Sequence, residues 1–427
     1  MFKPVKLPNV FRRVTFALAF LAPWFRNRAA ALCCWLILTP LLSMASDWPQ
    51  WRGPDRNGIS QEKDWRSDWP QDGPPIVWKA NVGLGFSSIS IADGRAFTAG
   101  HFDDQDRVFC LDAKSGKELW KHSYPAELGD KYFEGGTTGT PTVNGDRVYT
   151  LNRWGDVFCF EAATGKIIWN RNVAKETGIR VPGWGYGGSP AVQDNFLLLN
   201  VGEAGMALDK DTGKTLWQSA DKDAGYSTPL PWQEGGKWVV LLGSEKSYMA
   251  VDLKTGKEQW LLKWLTQYGV NASDPIPNGD LIFVSTGYGK GAVLFKPAAQ
   301  GEPEVIWKSK VLRTQMNSAV LVDGYLFGLD GDSGDTAQLK CVEYASGIEK
   351  WAQPQVGTGG VMAADGKLIV MGSKGELMVF AATPTAPKVL AKAQVLGGKC
   401  WTAPVLANGF IYCRNSRGDV VCVDVRK

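Results

Sequence analysis

Few residues in this 427-residue sequence could carry chemistry. It holds two histidines, His101 and His122, and neither stands in a cluster with metal-ligand spacing. No Gly-x-Ser-x-Gly nucleophile turn accompanies them, so they outline no hydrolase triad. Both read as ordinary surface or hydrogen-bonding histidines. The run Asp330-Gly331-Asp332-Ser333-Gly334-Asp335 puts three carboxylates within six residues, a pattern that could collect Ca²⁺. The order departs from a calcium loop, and no bidentate glutamate follows at the expected place, so a solvated hairpin turn is the expectation.

The chain has eight cysteines, two of them adjacent at Cys33-Cys34. Cys110, Cys159, Cys341 and Cys422 each precede a turn Asp or Glu by two residues. Equivalent positions in a repeat lie far apart, so these four read as buried thiols not paired with one another. Cys413 and Cys422 flank the Arg417-Gly418 turn and are expected to face each other, which makes them the one disulfide candidate.

The net charge of +4 is unevenly placed. Residues 1–45 hold six basic side chains and no acidic one, and the rest of the chain holds 41 basic against 43 acidic. With no basic block after the leader, nucleic-acid binding is not expected. The leader runs from a basic start through the apolar stretch Ala29–Leu42 to Ser43-Met44-Ala45, a small-x-small site that predicts signal cleavage near Ala45. Arg12-Arg13 lacks the flanks of a twin-arginine signal, and Cys33 lacks those of a lipoprotein. The expected product is a soluble periplasmic or extracellular protein with no transmembrane domain in the mature chain, and a monomer; an uncleaved anchor, lengthened by the second apolar stretch Val14–Phe25, is the alternative.

One phrase organises everything after the leader. Leu111-Asp112-Ala113-Lys114-Ser115-Gly116-Lys117-Glu118-Leu119-Trp120 returns, ending at Trp169, Trp217, Trp260 and Trp351, always with glycine four residues before the tryptophan. Trp78 heads the series, and Trp307 continues it although its glycine has drifted to Gly301. The spacings are 42, 49, 48, 43, 47 and 44 residues. Such a period fits a propeller blade or a helix-pair repeat. Turn chemistry decides: Asp93-Gly94, Asn144-Gly145, Asn278-Gly279, Asp323-Gly324, Asp365-Gly366 and Asn408-Gly409 sit between β-branched runs, which is hairpin chemistry.

The sequence therefore predicts an all-β, eight-bladed β-propeller of four-stranded antiparallel blades. Residues 1–45 are the signal peptide, 46–74 an N-terminal extension and 75–427 the propeller. Innermost strands should begin near Ser88, Thr140, Ser189, Thr228, Asp274, Ser318, Gly360 and Thr402. The last blade lacks a tryptophan strand, so Ile76–Trp78 is expected to complete it and close the ring. Trp78, Trp120, Trp169, Trp217, Trp260, Trp307 and Trp351 are expected to fill the space between blades.

The Asp-x-x-Thr-Gly-Lys-x-x-Trp phrase resembles that of the quinoprotein-like, PQQ-binding-like propeller superfamily over nearly all of residues 75–427. Asp47-Trp48-Pro49-Gln50-Trp51-Arg52-Gly53-Pro54 is similar to the start of many exported bacterial members. The resemblance implies one of two kinds of protein: quinone- and Ca²⁺-dependent alcohol or sugar dehydrogenases, or the non-catalytic propeller of the outer-membrane β-barrel assembly machinery. A dehydrogenase would need a quinone floor, a calcium-ligand set and a base. The vicinal cysteines that often cover the quinone occur here only in the leader, and no Cys-x-x-Cys-His haem site is present.

The residues preceding the innermost strands surround one channel mouth. They include Trp184, Tyr186, Tyr226, Asn271, Asp274, Arg313, Gln315, Asn317, Lys399 and Trp401, a mixture suited to a planar polar ligand or a peptide. Asp274 is the one carboxylate placed at an innermost-strand start, too few for both a base and a Ca²⁺ ligand set. The expectation is a non-catalytic scaffold that binds a protein partner or small polar ligand in the cell envelope, with no catalytic residues, no metal and no cofactor. A PQQ/Ca²⁺ dehydrogenase is the alternative, and a carbohydrate or cell-wall binding module is a third reading resting on exposed aromatics.

Overall fold

The computed structural model describes residues 46–427 apart from 71, 299, 300 and 333. The signal segment and the cleavage site near Ala45 expected from sequence lie outside the described residues.

Eight antiparallel sheets follow one another along the chain. Blade 1 comprises Ser90–Ala92, Arg95–Phe102, Gln105–Asp112 and Glu118–Pro125, from the channel outwards. Blades 2 to 7 repeat this order, with innermost strands Thr142–Asn144, Ala191–Gln193, Leu230–Glu234, Ile276–Asn278, Val320–Val322 and Gly360–Ala364. Blade 8 takes three strands from the C-terminus, Val405–Ala407, Phe410–Arg414 and Asp419–Asp424. Its outer strand is Ile76–Asn81, paired antiparallel with Trp78 opposite Cys422. The two ends of the chain thus close the ring and remove a free edge.

The recurring tryptophans occupy equivalent outer-strand positions, opposite Cys422, Cys110, Cys159, Ala207, Ala250, Leu294 and Cys341 in turn. The repeat phrase has a physical reason that spans blades. Each glycine of the phrase packs on the tryptophan of the preceding blade, not its own: a side chain at Gly165 would begin 2.6 Å from the Trp120 indole, and one at Gly116 2.6 Å from Trp78. The same turns offer a carbonyl to that indole, as in Trp120 Nε1 to Ala162 O at 2.9 Å and Trp78 Nε1 to Ala113 O at 3.0 Å. Blade 7 lacks the glycine and keeps the clasp, Trp351 Nε1 donating to Thr383 O at 2.7 Å, whereas at blade 5 the clasp is lost. Blade 5 lacks the glycine, and Trp260 of blade 4 donates to Glu234 of its own blade at 3.2 Å. The apolar core lies between sheets, as where Phe97, Cys110 and Trp120 of blade 1 meet Val148, Phe158 and Phe160 of blade 2.

All six cysteines among the described residues are free and buried. The facing pair expected at Cys413 and Cys422 is corrected by the register: Cys413 stands opposite Val421 and Tyr412 opposite Cys422. Successive side chains point to opposite sheet faces, so the two sulfurs lie on different faces. Burial pushes the Cys110, Cys341, Cys400 and Cys422 thiols up to about 12.

Two measurements check this packing. Gly165→Ala, with its clash against Trp120 and its φ of +73°, should lower stability by about 1–3 kcal/mol more than Gly145→Ala, whose turn has φ +60° and open space around it. Thermal or denaturant unfolding of both variants reads the difference, and equal losses would refute the clasp. A colorimetric thiol reagent should find no reactive cysteine in folded residues 46–427 and six after denaturation.

Candidate functional site

The innermost strands are tied by a ring of hydroxyls. Pro141, Pro190, Pro229 and Pro275 each hold the residue before them in extended backbone. The backbone N–H of one blade donates to the side-chain oxygen at the equivalent position of the next. Ser88 donates to Thr140 (3.0 Å), Thr140 to Ser189 (2.9 Å), Ser189 to Thr228 (3.0 Å), Thr228 to Asp274 Oδ1 (2.8 Å) and Asp274 to Ser318 (2.7 Å). At blade 7 the position is Gly360, which has no side chain to accept. Asn317 bridges the gap, its Nδ2 donating to Gly359 O and to Trp401 O at 2.7 Å each.

Asp274 is the one carboxylate in this ring, and both its oxygens are engaged. Oδ1 accepts from Thr228 N, and Oδ2 accepts from the Trp51 indole at 2.7 Å with the Arg52 Nε 3.9 Å away. Burial pushes the Asp274 carboxyl up, with Arg52 acting against that shift. Arg52 is itself buried and donates to the carbonyls of Asn57, Ser318 and Ala319.

These contacts belong to a segment that crosses the channel. Trp48 bridges to Ile91 of blade 1, Pro49 O accepts from Val143 of blade 2, and Arg56 donates to Val192 O of blade 3. Ile59–Ser60 then pairs parallel with Ala363–Ala364 of blade 7. A segment touching blades on opposite sides of an eight-membered ring must pass over its centre. Residues 47–60 are therefore a plug, and Trp51 is the floor of the cavity above it.

That cavity has a volume of about 270 Å³. One side is aromatic: Trp401 stacks on Phe86 (5.4 Å), Phe86 leans on Phe133 (5.7 Å), and Trp184 meets Tyr132 (5.1 Å) and Tyr226 (5.9 Å). Tyr288, Gln315, Asn317 and Asp332 also line the cavity. Among the described lining residues the only charged side chains are Asp274 and Asp332, with no Lys, Arg or His.

Of the residues singled out from sequence, Trp184, Tyr226, Asp274, Gln315, Asn317 and Trp401 line this cavity together. The other four do not. Tyr186 is fully buried, with its hydroxyl toward the carbonyls of Ile179 and Arg180. Asn271 is fully buried and donates to the carbonyls of Ser244 and Trp264. Arg313 is held by both oxygens of Asp330 at 2.9 Å, and Lys399 pairs with Glu134 while lying 4.3 Å over the Trp401 ring. Sequence reasoning missed Trp51, Phe86, Tyr132, Phe133, Tyr288 and Asp332. Trp51 lay in the segment 47–54 already noted, and Phe86, Tyr132 and Phe133 precede innermost strands just as Trp184 does.

The acidic run is neither a calcium loop nor a freely solvated turn. Asp330 is buried between Arg313 and Lys340, Asp332 lines the cavity, and Asp335 accepts from Ser373 and pairs with Lys374. Ser333 lies outside the described residues. No group of three metal-binding side chains occurs among the described residues. His101 is buried, its Nδ1 2.9 Å from Asp106 Oδ1, and His122 packs among Tyr124, Phe158 and Phe160, where burial lowers its pKa.

A family model described as outer membrane protein assembly factor BamB matches residues 60–138 and 104–353, most of the chain. BamB from Moraxella catarrhalis is similar in structure, with TM-score 0.61 at 15% identity over 82% of this chain and 100% of that one. The quinohemoprotein alcohol dehydrogenase of Comamonas testosteroni gives 0.65 at 14% identity over 90% of this chain and 81% of that one. A computationally designed protein, Ika8, gives 0.60 at 12% identity over 83% of this chain and 100% of that one. No curated protein matches the sequence. An assembly factor, a dehydrogenase and a design score alike, so these likenesses carry the fold alone.

The plug can be tested at its anchor. Trp51→Phe keeps a flat floor but leaves Asp274 Oδ2 without its indole donor, and should cost about 1–3 kcal/mol. Asp274→Asn leaves Arg52 buried without a counter-charge and should cost more, about 3–5 kcal/mol. Denaturant unfolding measures both, and an Asp274→Asn variant as stable as the parent would show that this pair does not hold the plug.

Proposed function

The chain belongs to the family described as outer membrane protein assembly factor BamB, and from that premise we propose that it is a non-catalytic scaffold that binds a partner at its aromatic funnel. The observation that carries this reading is the state of Asp274. Quinone-dependent oxidation needs a positioned base beside a metal-polarised carbonyl. The carboxylate placed for that task has one oxygen in the inter-blade ring and the other on Trp51 beside Arg52. Asp332 is the one other lining carboxylate, and Ca²⁺ usually gathers about six to eight oxygens. A quinone bearing carboxylates would meet two like charges and no basic lining side chain. The residues of the funnel thus do not fit that cofactor.

The rim supports binding instead. Tyr132, Leu265 and Tyr268 lie on loops beside the funnel and are each more than half exposed. Exposed aromatic and aliphatic side chains around a pocket are what a partner's anchor residues pack against. The leader and the family support a location in the cell envelope, after export, for this activity. No helix among the described residues is long and apolar enough to cross a membrane.

Reconstitution of residues 46–427 with pyrroloquinoline quinone and Ca²⁺ tests the proposal. The expected result is no quinone absorbance retained after gel filtration and no dye-linked oxidation of alcohols or aldoses. Micromolar quinone binding or measurable turnover would overturn it in favour of a dehydrogenase.

A further inference from the structure

We propose that the funnel is built to receive an organic cation, an ammonium or guanidinium group, entering from the rim and stopping above Trp51. This rests on the reading of the funnel as a binding site and names what it binds. Three observations converge on it.

The first is charge. The described lining residues include two carboxylates and no basic side chain. Asp274 has Arg52 beneath it at 3.9 Å, whereas Asp332 makes no ion pair among the described residues. The cation with a Coulombic reach to Asp332 is Arg313, and its Nε and Nη2 are both committed to Asp330 at 2.9 Å.

The second is an acceptor corner. Gln315 is buried, and its Oε1 has no donor; Asp332 Oδ1 has none either. Both oxygens converge on the same side of Gly287, where a side chain would begin 1.7 Å from the first and 2.9 Å from the second. Exchanging O and N of the Gln315 amide would put a donor in place of the first acceptor, beside Asp332 Oδ1, but the carboxylate would still lack a counter-ion. Two close acceptors, one of them charged, call for a charged donor.

The third is the aromatic row leading to that corner. Tyr132, Trp184, Tyr268 and Tyr288 meet in sequence at 5.1, 6.5 and 4.9 Å, tilted or edge-on at 44°, 70° and 79°. An edge-to-face pair covers one face of one ring and leaves the other faces open, and a ring face attracts a cation, as Lys131 does 5.1 Å over Tyr132. Asp332 acts on the Tyr288 hydroxyl, whose pKa rises through burial and then through that charge. The rim shows the same chemistry in miniature, with Lys399 over Trp401 and Arg153 5.0 Å from the centre of Phe133. A blind cavity of about 270 Å³ has room for one such head group and not for a threaded chain.

The cation could arrive as a free amine or on a lysine or arginine of a peptide, and calorimetry with two probe pairs separates these sources. n-Butylammonium is compared with its uncharged near-isostere 1-butanol, and acetyl-Gly-Lys-Gly amide with the norleucine peptide. Each cation should bind at least about tenfold tighter than its neutral partner, and binding should weaken as NaCl rises. n-Butylammonium alone binding marks a free amine, and the lysine peptide alone marks a protein side chain. Asp332→Asn should lose about tenfold for the cation that binds, and Trp184→Leu, at a half-buried rim position, should also weaken it. Equal affinity for cation and isostere, or full affinity in both variants, would overturn the inference. Failure here with no quinone binding leaves the scaffold reading standing, whereas Ca²⁺-dependent quinone binding removes that reading as well.

Discussion

A ring of blades has no stable intermediate width: each sheet is covered only when both neighbours are present, and the last must meet the first. The junction between blades 8 and 1 therefore bears on every other contact in the molecule. It is held by the Ile76–Asn81 strand and by Arg414, which is fully buried and makes no ion pair among the described residues. Its guanidinium reaches across to the carbonyls of Gly83, Ser87 and Ala99 and the hydroxyl of Thr98. Burial without a carboxylate pulls its pKa down to about 9. Carbonyl dipoles replace water around that charge, an arrangement that tolerates no looseness in the joint.

The same demand explains why the repeat phrase is so regular. A glycine turn serves the preceding blade's tryptophan, so each copy of the phrase is half of a joint completed by the copy before it. A change in either half is felt by both blades. At Trp260 the joint is made differently: the turn of blade 5 lacks the phrase, and the indole donates to a carboxylate within its own sheet.

This regularity made the fold legible. Period, turn dipeptides and the missing last strand are repeated or paired facts, and repetition averages out local accident. The funnel has no such repetition. Trp184 and Tyr186 are two residues apart, yet one lines the cavity and the other lies in the core, because the loop turns at Gly185 with a φ of +77°. Nothing in the one-dimensional pattern reports that turn. The plug was hidden for a different reason: it precedes the first repeat, and only the folded ring shows that Trp51 meets Asp274 across 223 positions of chain.

The closure also sets an order of events. Asn81 and Asp419 are joined by a hydrogen bond between residues 338 positions apart. Closing a loop of that length is slow because its entropy is lost before any contact repays it. The Ile76–Asn81 strand, made early, thus waits for the last, with its edge and the Trp78 indole unsatisfied meanwhile. During that interval the chain is an open arc with two sticky ends, and a second arc could answer them as well as its own. Dilution and chaperone cover, more than the strength of any one blade, would then decide between a closed monomer and a strand-exchanged pair.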